Sequence, residues 1–170
     1  MPVPRLALVP GEPAGVGPEL CARALQRRWD AELEVFGDGD GLVAAAARIG
    51  LPLRRLGADA LESLAGRFVL HHLPAAVTTT PGRPDAANAA STIGALLAAA
   101  DACTGGRCAG MVTGPVHKAA INEGGIAYTG TTGLLATHAD REVVMMLANP
   151  RMRVALATVH MPLQIGRAHV

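Results

Sequence analysis

Apolar and polar residues repeat with two different periods along the chain, and the positions where the period changes mark its elements. The β-prone run Arg5–Val9 stops at Pro10-Gly11, and from Pro18 the spacing becomes helical, with proline suited to a first turn. Glu32–Phe36 alternates as a half-buried strand does, breaks at Gly37-Asp38-Gly39-Asp40-Gly41, and gives way to a helical stretch at Leu42–Ile49. Arg67–Leu70 predicts a further strand. Pro84–Cys103 predicts the longest helix, closed by Gly105-Gly106, and Ala109–Val112 returns to strand. After a glycine-rich passage from Gly124 to Gly133, the runs Val143–Ala148 and Val154–Val159 flank the turn signal Asn149-Pro150-Arg151, so they can pair as neighbouring strands. Strands and helices alternating at this spacing predict a layered α/β fold with a mostly parallel sheet and an antiparallel pair near its end. Ligands of such sheets lie outside the carboxyl ends of strands, which directs attention to the loops after Val9, Val112 and Val159.

With 170 residues, half of them hydrophobic, and a mean hydropathy of +0.29, the chain can bury one core. Its 15 basic and 14 acidic side chains leave a net charge of +1, too weak a field to hold a nucleic acid or an anionic membrane, so neither partner is expected. Aromatic residues make up 2%, so base-stacking surfaces have few parts to be built from. Cys21, Cys103 and Cys108 are odd in number and form no C-x-x-C pair, which fits a reducing compartment better than a disulfide framework. Leu6–Val9 is too short for a signal-peptide core, and the charge-free stretch from Ala86 to Ala100 is shorter than the roughly 20 residues a bilayer requires. A cytoplasmic protein is expected.

The loop from Pro10 to Pro18 carries Gly11, Gly15 and Gly17 as G-x-x-x-G-x-G, the wrong order for a dinucleotide fingerprint, and no G-x-x-x-x-G-K-[ST] occurs. Two readings remain open for it: a cradle for an anionic or polar ligand, or a tight strand-to-helix turn. In the second loop, Val112 to Lys118, an imidazole and an ammonium stand at the entrance of a short helix. Lys118 is the chain's one lysine among 15 basic residues, and a compact cation of tunable pKa suits a site, although a solvated surface lysine is the plain alternative. His160 ends an apolar run before Met161-Pro162, a position suited to a metal ligand or an acid-base group. His71, His72 and His138 read as surface or packing histidines.

Three segments, VPGEPAGVGPEL, VTGPVHKAAINEGG with the following YTG, and VVMMLANPRMRVALATVHMPL, together resemble the 4-hydroxythreonine-4-phosphate dehydrogenase family of vitamin B6 biosynthesis. The likeness runs from Arg5 to Leu163 and corresponds to about the first half of such an enzyme. It implies the truncated fold of the isocitrate and isopropylmalate dehydrogenases, in a homodimer whose active site is shared between subunits. The implied reaction is oxidation of 4-phosphohydroxy-L-threonine with NAD, giving an amino-oxo acid that decarboxylates to aminoacetone phosphate. A divalent metal (Zn, Mg or Co) would act as Lewis acid on the alcohol. By this resemblance His160 is the first of three metal-binding histidines, the other two falling beyond this chain. Thr132 stands at a substrate-binding threonine, Thr131 at its neighbouring histidine, and Gly133 at a usual glutamate; Lys118 falls in the active-site region as a catalytic polar or proton-relay group.

The family pattern stops at Leu163-Gln164, and residues 165–170 read as translated sequencing-library adapter, which leaves 1–164 as the native part of a fragment expected to be inactive alone. The replacements at Thr131 and Gly133 keep open a paralogue acting on phosphorylated threonate or erythronate. From different functional classes, a phosphate-handling acyltransferase and a noncatalytic anion-binding module also fit the loop pattern.

Overall fold

The computed structural model describes residues 3–158. Strand β1 (Arg5–Val9) leads through the first glycine loop into helix α1 (Gly17–Ala24), with Pro18 in the first turn as expected. Strand β2 (Glu32–Gly37) then feeds α2 (Gly39–Arg48), whose N-cap Asp38 accepts a hydrogen bond from the Asp40 amide. Next come three strands, β3 (Leu53–Leu56), β4 (Ala60–Ser63) and β5 (Gly66–His72), then a 3₁₀ turn at Ala86–Asn88 that runs into α3 (Ala89–Thr104). Strand β6 (Gly110–Thr113) and helices α4 (Lys118–Glu123) and α5 (Thr131–Ala139) lead to a short pair, β7 (Met146–Ala148) and β8 (Arg153–Ala155).

Six strands form one sheet in the order β3-β4-β5-β2-β1-β6, parallel from β5 to β6 and antiparallel at the β3–β4 end. The mostly parallel α/β fold expected from the sequence is the fold observed. Alternation along the central strands splits the core into two layers. Ala7, Val9 and Phe36 face α3, where Ile93, Leu96 and Ala99 meet them. Leu8, Val35 and Leu70 face α1 and α2, against Cys21, Leu25, Leu42 and Ala46. Alanine at 95, 99 and 102 gives α3 a flat buried face, and each fully buried leucine contributes about 1.5–3 kcal/mol by leaving water. By length and hydropathy alone, Ala86–Thr104 would pass for a membrane span, but half of it is buried inside the protein, as for a core helix.

Three expectations change. The Leu53–Ser63 hairpin was not foreseen, because its strands are four residues long and one carries Arg54 and Arg55. The pair near the end exists, with Met146 opposite Ala155 and Ala148 opposite Arg153, but it is shorter than the runs Val143–Ala148 and Val154–Val159 and forms a separate two-stranded sheet. Strand β8 ends at Ala155, and Val159 falls outside the described residues. The glycine-rich passage up to Gly133 also overlaps α5, which starts at Thr131.

Candidate functional site

The loops leaving β1 and β6 are zipped to each other at the carboxyl ends of those strands. Gly114 donates its amide hydrogen to the Val9 carbonyl (2.7 Å), and Glu12 donates to the Pro115 carbonyl (2.9 Å). A Cβ on Gly17 or Gly114 would collide with the Pro10 carbonyl oxygen, and one on Gly11 with that of Pro115. The glycines therefore serve backbone-on-backbone packing, and the space beside them is filled by protein. Of the two readings of the first loop, this geometry carries the tight turn.

Beside the zipped loops lies a cleft of about 280 Å³, lined among others by Glu12, Gly82, Pro84, Val116 and His117. Glu12 is only 6% exposed, and among the described residues its carboxylate has no cationic partner. One of its oxygens accepts the Ala14 amide at 3.0 Å, closing the turn. The Ala14 carbonyl in turn accepts from Gly82, which ties the 78–84 segment to this loop. His117 is the N-cap of α4; its Nδ1 accepts the Ala120 amide at 3.1 Å, which fixes the neutral ring as the Nε2–H tautomer.

The next residue connects this cleft to α5. Lys118 is exposed, and its Nζ comes 3.9 Å from the position a Cβ would take on Gly130, the N-cap of α5. Glycine supplies no capping side chain there, so the first amides of α5 have no side-chain acceptor. Thr132 is exposed in that first turn, while the Thr131 hydroxyl lies 2.6 Å from the hydroxyl of the buried Tyr128. Asn122 holds the arrangement: its amide group donates to the carbonyls of Lys118 (2.8 Å) and Tyr128 (3.0 Å) and accepts the Tyr128 amide (3.0 Å). The fold thus brings Lys118, Thr131 and Thr132 to one place, whereas His160 lies outside the described residues. Sequence reasoning did not single out Glu12, Asn122 or Tyr128. A glutamate within a Pro/Gly loop looks solvated, and a clamp between backbone groups leaves no spacing signal.

The three remaining histidines that the sequence placed at the surface or in packing are tied to neighbours. His71 stacks on Phe36 at 4.2 Å and meets Glu34 at 2.8 Å; His138 meets Asp101 at 2.6 Å, linking α5 to α3. His72 groups with Asp38 and Asp40 within 4.8 Å of one another, a donor set able to hold a cation in principle. Each already has a protein partner: Asp38 caps the Asp40 amide, His72 Nδ1 accepts the Gly39 amide at 3.1 Å, and Asp40 pairs with Arg55 at 2.7 Å. The Arg55 hydrogen bond holds the Asp40 carboxyl below the usual carboxylate range. The cluster is the fastening of α2 and does not offer the histidine-rich set expected of the family's metal. The cysteines are free thiols, and burial pushes Cys21 up to about 12.

Two layers of helices on a mostly parallel sheet, with a cleft and a lone ammonium gathered at the carboxyl ends of its strands, define an α/β domain whose cleft lies where ligands of such sheets bind. Residues 30–170 match the family model described as pyridoxal phosphate biosynthetic protein PdxA, and the chain belongs to that family. The 4-hydroxythreonine-4-phosphate dehydrogenase of Stenotrophomonas maltophilia (strain R551-3) is 57% identical over 162 residues, which are 95% of this chain and 50% of that protein. Its counterpart from Xanthomonas oryzae pv. oryzae (strain PXO99A) is 58% identical over 163 residues, 95% of this chain and 51% of its own. A crystal structure of a 4-hydroxythreonine-4-phosphate dehydrogenase from Burkholderia phymatum shares the fold, with a TM-score of 0.86 at 23% identity over 99% of this chain and 53% of that one. The family is therefore one of oxidoreductases, and the chain spans about half the length of the curated relatives it matches.

Proposed function

We propose that this chain supplies the amino-terminal half of an NAD-dependent 4-hydroxythreonine-4-phosphate dehydrogenase. The enzyme oxidises the secondary alcohol of 4-phosphohydroxy-L-threonine to an amino-oxo acid that decarboxylates to aminoacetone phosphate, within pyridoxal phosphate biosynthesis. The observation that carries the reading is the chain's one ammonium beside the uncapped start of α5. Helix amides without acceptors, a lysine and the Thr132 hydroxyl together favour a phosphate dianion. In this reading Lys118 and Thr132 hold the substrate's phosphorylated end. Thr131 orients that turn through its contact with Tyr128, and Asn122 keeps Lys118 and Tyr128 in register. The buried charge of Glu12 makes the adjoining cleft favourable for a cationic group.

In this reading His160, with ligands from the remainder of the enzyme, would hold a divalent metal, which would supply Lewis-acid polarisation of the alcohol. The same reading places NAD and the substrate in a homodimer with shared sites, and the protein in a reducing compartment such as the cytoplasm, which its free thiols support. Phosphorylated threonate or erythronate is the second candidate substrate. It is favoured by the Thr131 hydroxyl, which cannot carry a charge as the family's imidazole does.

The test extends this chain to the full length of its relatives and follows NADH formation with 4-phosphohydroxy-L-threonine and a divalent metal. Turnover that chelation abolishes is expected, with Lys118→Met raising KM by roughly 10- to 100-fold, as for loss of a charge-assisted contact. The 170-residue chain alone is expected to give no NADH. Turnover confined to the threonate or erythronate phosphates would transfer the assignment to the second reading; no NADH from any of the three would remove both.

A further inference from the structure

At the opposite end of the sheet, the amino ends of β1, β2 and β5 border a second crevice of about 420 Å³. Four arginines line it, Arg5, Arg27, Arg28 and Arg67, against two carboxylates, Glu32 and Glu34. Both carboxylates are already neutralised. Arg5 contacts Glu32 at 2.9 Å and Glu34 at 3.1 Å, and Glu34 is also met by His71 at 2.8 Å and Arg107 at 3.5 Å. Among the described residues, Arg27, Arg28 and Arg67 have no carboxylate within ion-pair distance, so their charges stand unopposed on the crevice wall. In a chain of net charge +1, that concentration is local.

The chain's one tryptophan is in the same wall. Trp29 is 49% exposed, yet its ring is held in place, because the indole N–H donates to the Ala24 carbonyl at 2.9 Å and the Arg27 guanidinium lies 5.6 Å from the ring centroid. A fixed, half-exposed indole with Arg27 against it and two unpaired guanidinium groups, Arg28 and Arg67, beside it has two complementary requirements: a planar ring to stack on and an anion to neutralise. We propose that this crevice is a second ligand site, which binds a small phosphate monoester carrying a planar aromatic ring. Its volume admits one ring with one phosphate and is at the small end of ligand sites, which favours such a small molecule over a longer strand. The site lies across the sheet from Lys118 and needs neither NAD nor a metal, so its fate is independent of the dehydrogenase reading.

Trp29 is its own reporter. The 170-residue chain is titrated with AMP and with pyridoxine 5′-phosphate, two sources of the same chemistry, while tryptophan emission is recorded. Adenosine and inorganic phosphate serve as the half-ligands. Saturable quenching by at least one aromatic phosphate below about 1 mM is expected, with adenosine and inorganic phosphate each at least ten-fold weaker. The double variant Arg28→Gln/Arg67→Gln, exposed at both positions and checked by circular dichroism for an unchanged fold, is expected to bind at least ten-fold more weakly. Calorimetry on Trp29→Phe separates stacking from charge, since phenylalanine keeps a ring. No saturable quenching, equal quenching by adenosine, unchanged affinity in the folded double variant, or tighter binding of a single-stranded oligonucleotide than of AMP would each overturn the proposal.

Discussion

Glu12 combines two roles that a pair of substitutions separates. One carboxylate oxygen closes the first loop by accepting the Ala14 amide, and the side chain is buried with no cation beside it among the described residues. Glu12→Gln keeps a carbonyl oxygen for that amide and removes only the charge. Its thermal midpoint should therefore stay close to that of the parent, while affinity for a cationic ligand in the cleft falls. Glu12→Ala also strands the Ala14 amide, so it should lower stability by about 1–3 kcal/mol in denaturant titrations. Equal destabilisation by both variants would show that the charge itself is structural. At this scale the sequence was partly legible. Lys118 stood out as the only lysine, whereas Thr131 and Thr132 were named only through the family resemblance, and the turn where α5 begins was read as glycine-rich loop. Glu12 and Asn122 were opaque because their importance lies in backbone groups brought to them by other segments.

Among the elements, those with strong alternation or long alanine-rich periodicity were readable: β1, β2, α3 and β6 lie where the pattern put them, within a few residues. The missed ones share a cause. β3 and β4 are too short and too charged to show a period, and their pairing is fixed by the turn around Gly57, at φ +69°, which a local pattern does not reveal. α5 contains Gly133 and, among the described residues, buries none of its own, so it lacks an apolar stripe. The glycines also divide by what surrounds them. Gly17→Ala drives a methyl group into the Pro10 carbonyl and should destabilise the protein by roughly 1–3 kcal/mol or more. Gly94→Ala, within α3, meets only Leu73 Cδ2 at an ordinary 3.5 Å and should stabilise by about 0.5–1 kcal/mol through helix propensity. Urea midpoints moving in opposite directions would bear this out; a neutral Gly17→Ala would refute the zipped-loop account of the site.

For the whole molecule, the decisive contrast is between the six-stranded sheet and the β7–β8 pair. Central strands β1 and β2 are covered on both faces, with Leu8, Val9, Val35 and Phe36 buried between the helices. Among the described residues the pair has three paired positions and no buried residue in either strand; it exposes Met146, Leu147 and Val154, with Val144 and Met152 exposed beside it. Hydrogen exchange should register that difference directly. Amides in the middle of β1 and β2 open only with the whole fold, whereas those of Leu147 and Val154 need only the separation of three residue pairs. Their protection should be weaker by several orders of magnitude in this chain. The relatives are about twice as long, and an apolar hairpin that no described residue covers is the kind of surface that additional chain buries. In a chain extended to the length of those relatives, the same two amides are expected to slow towards the rate of Leu8. If they exchange as fast there as here, the hairpin is a free-standing feature of the fold; if they are already slow in the 170-residue chain, its stability arises from something other than coverage.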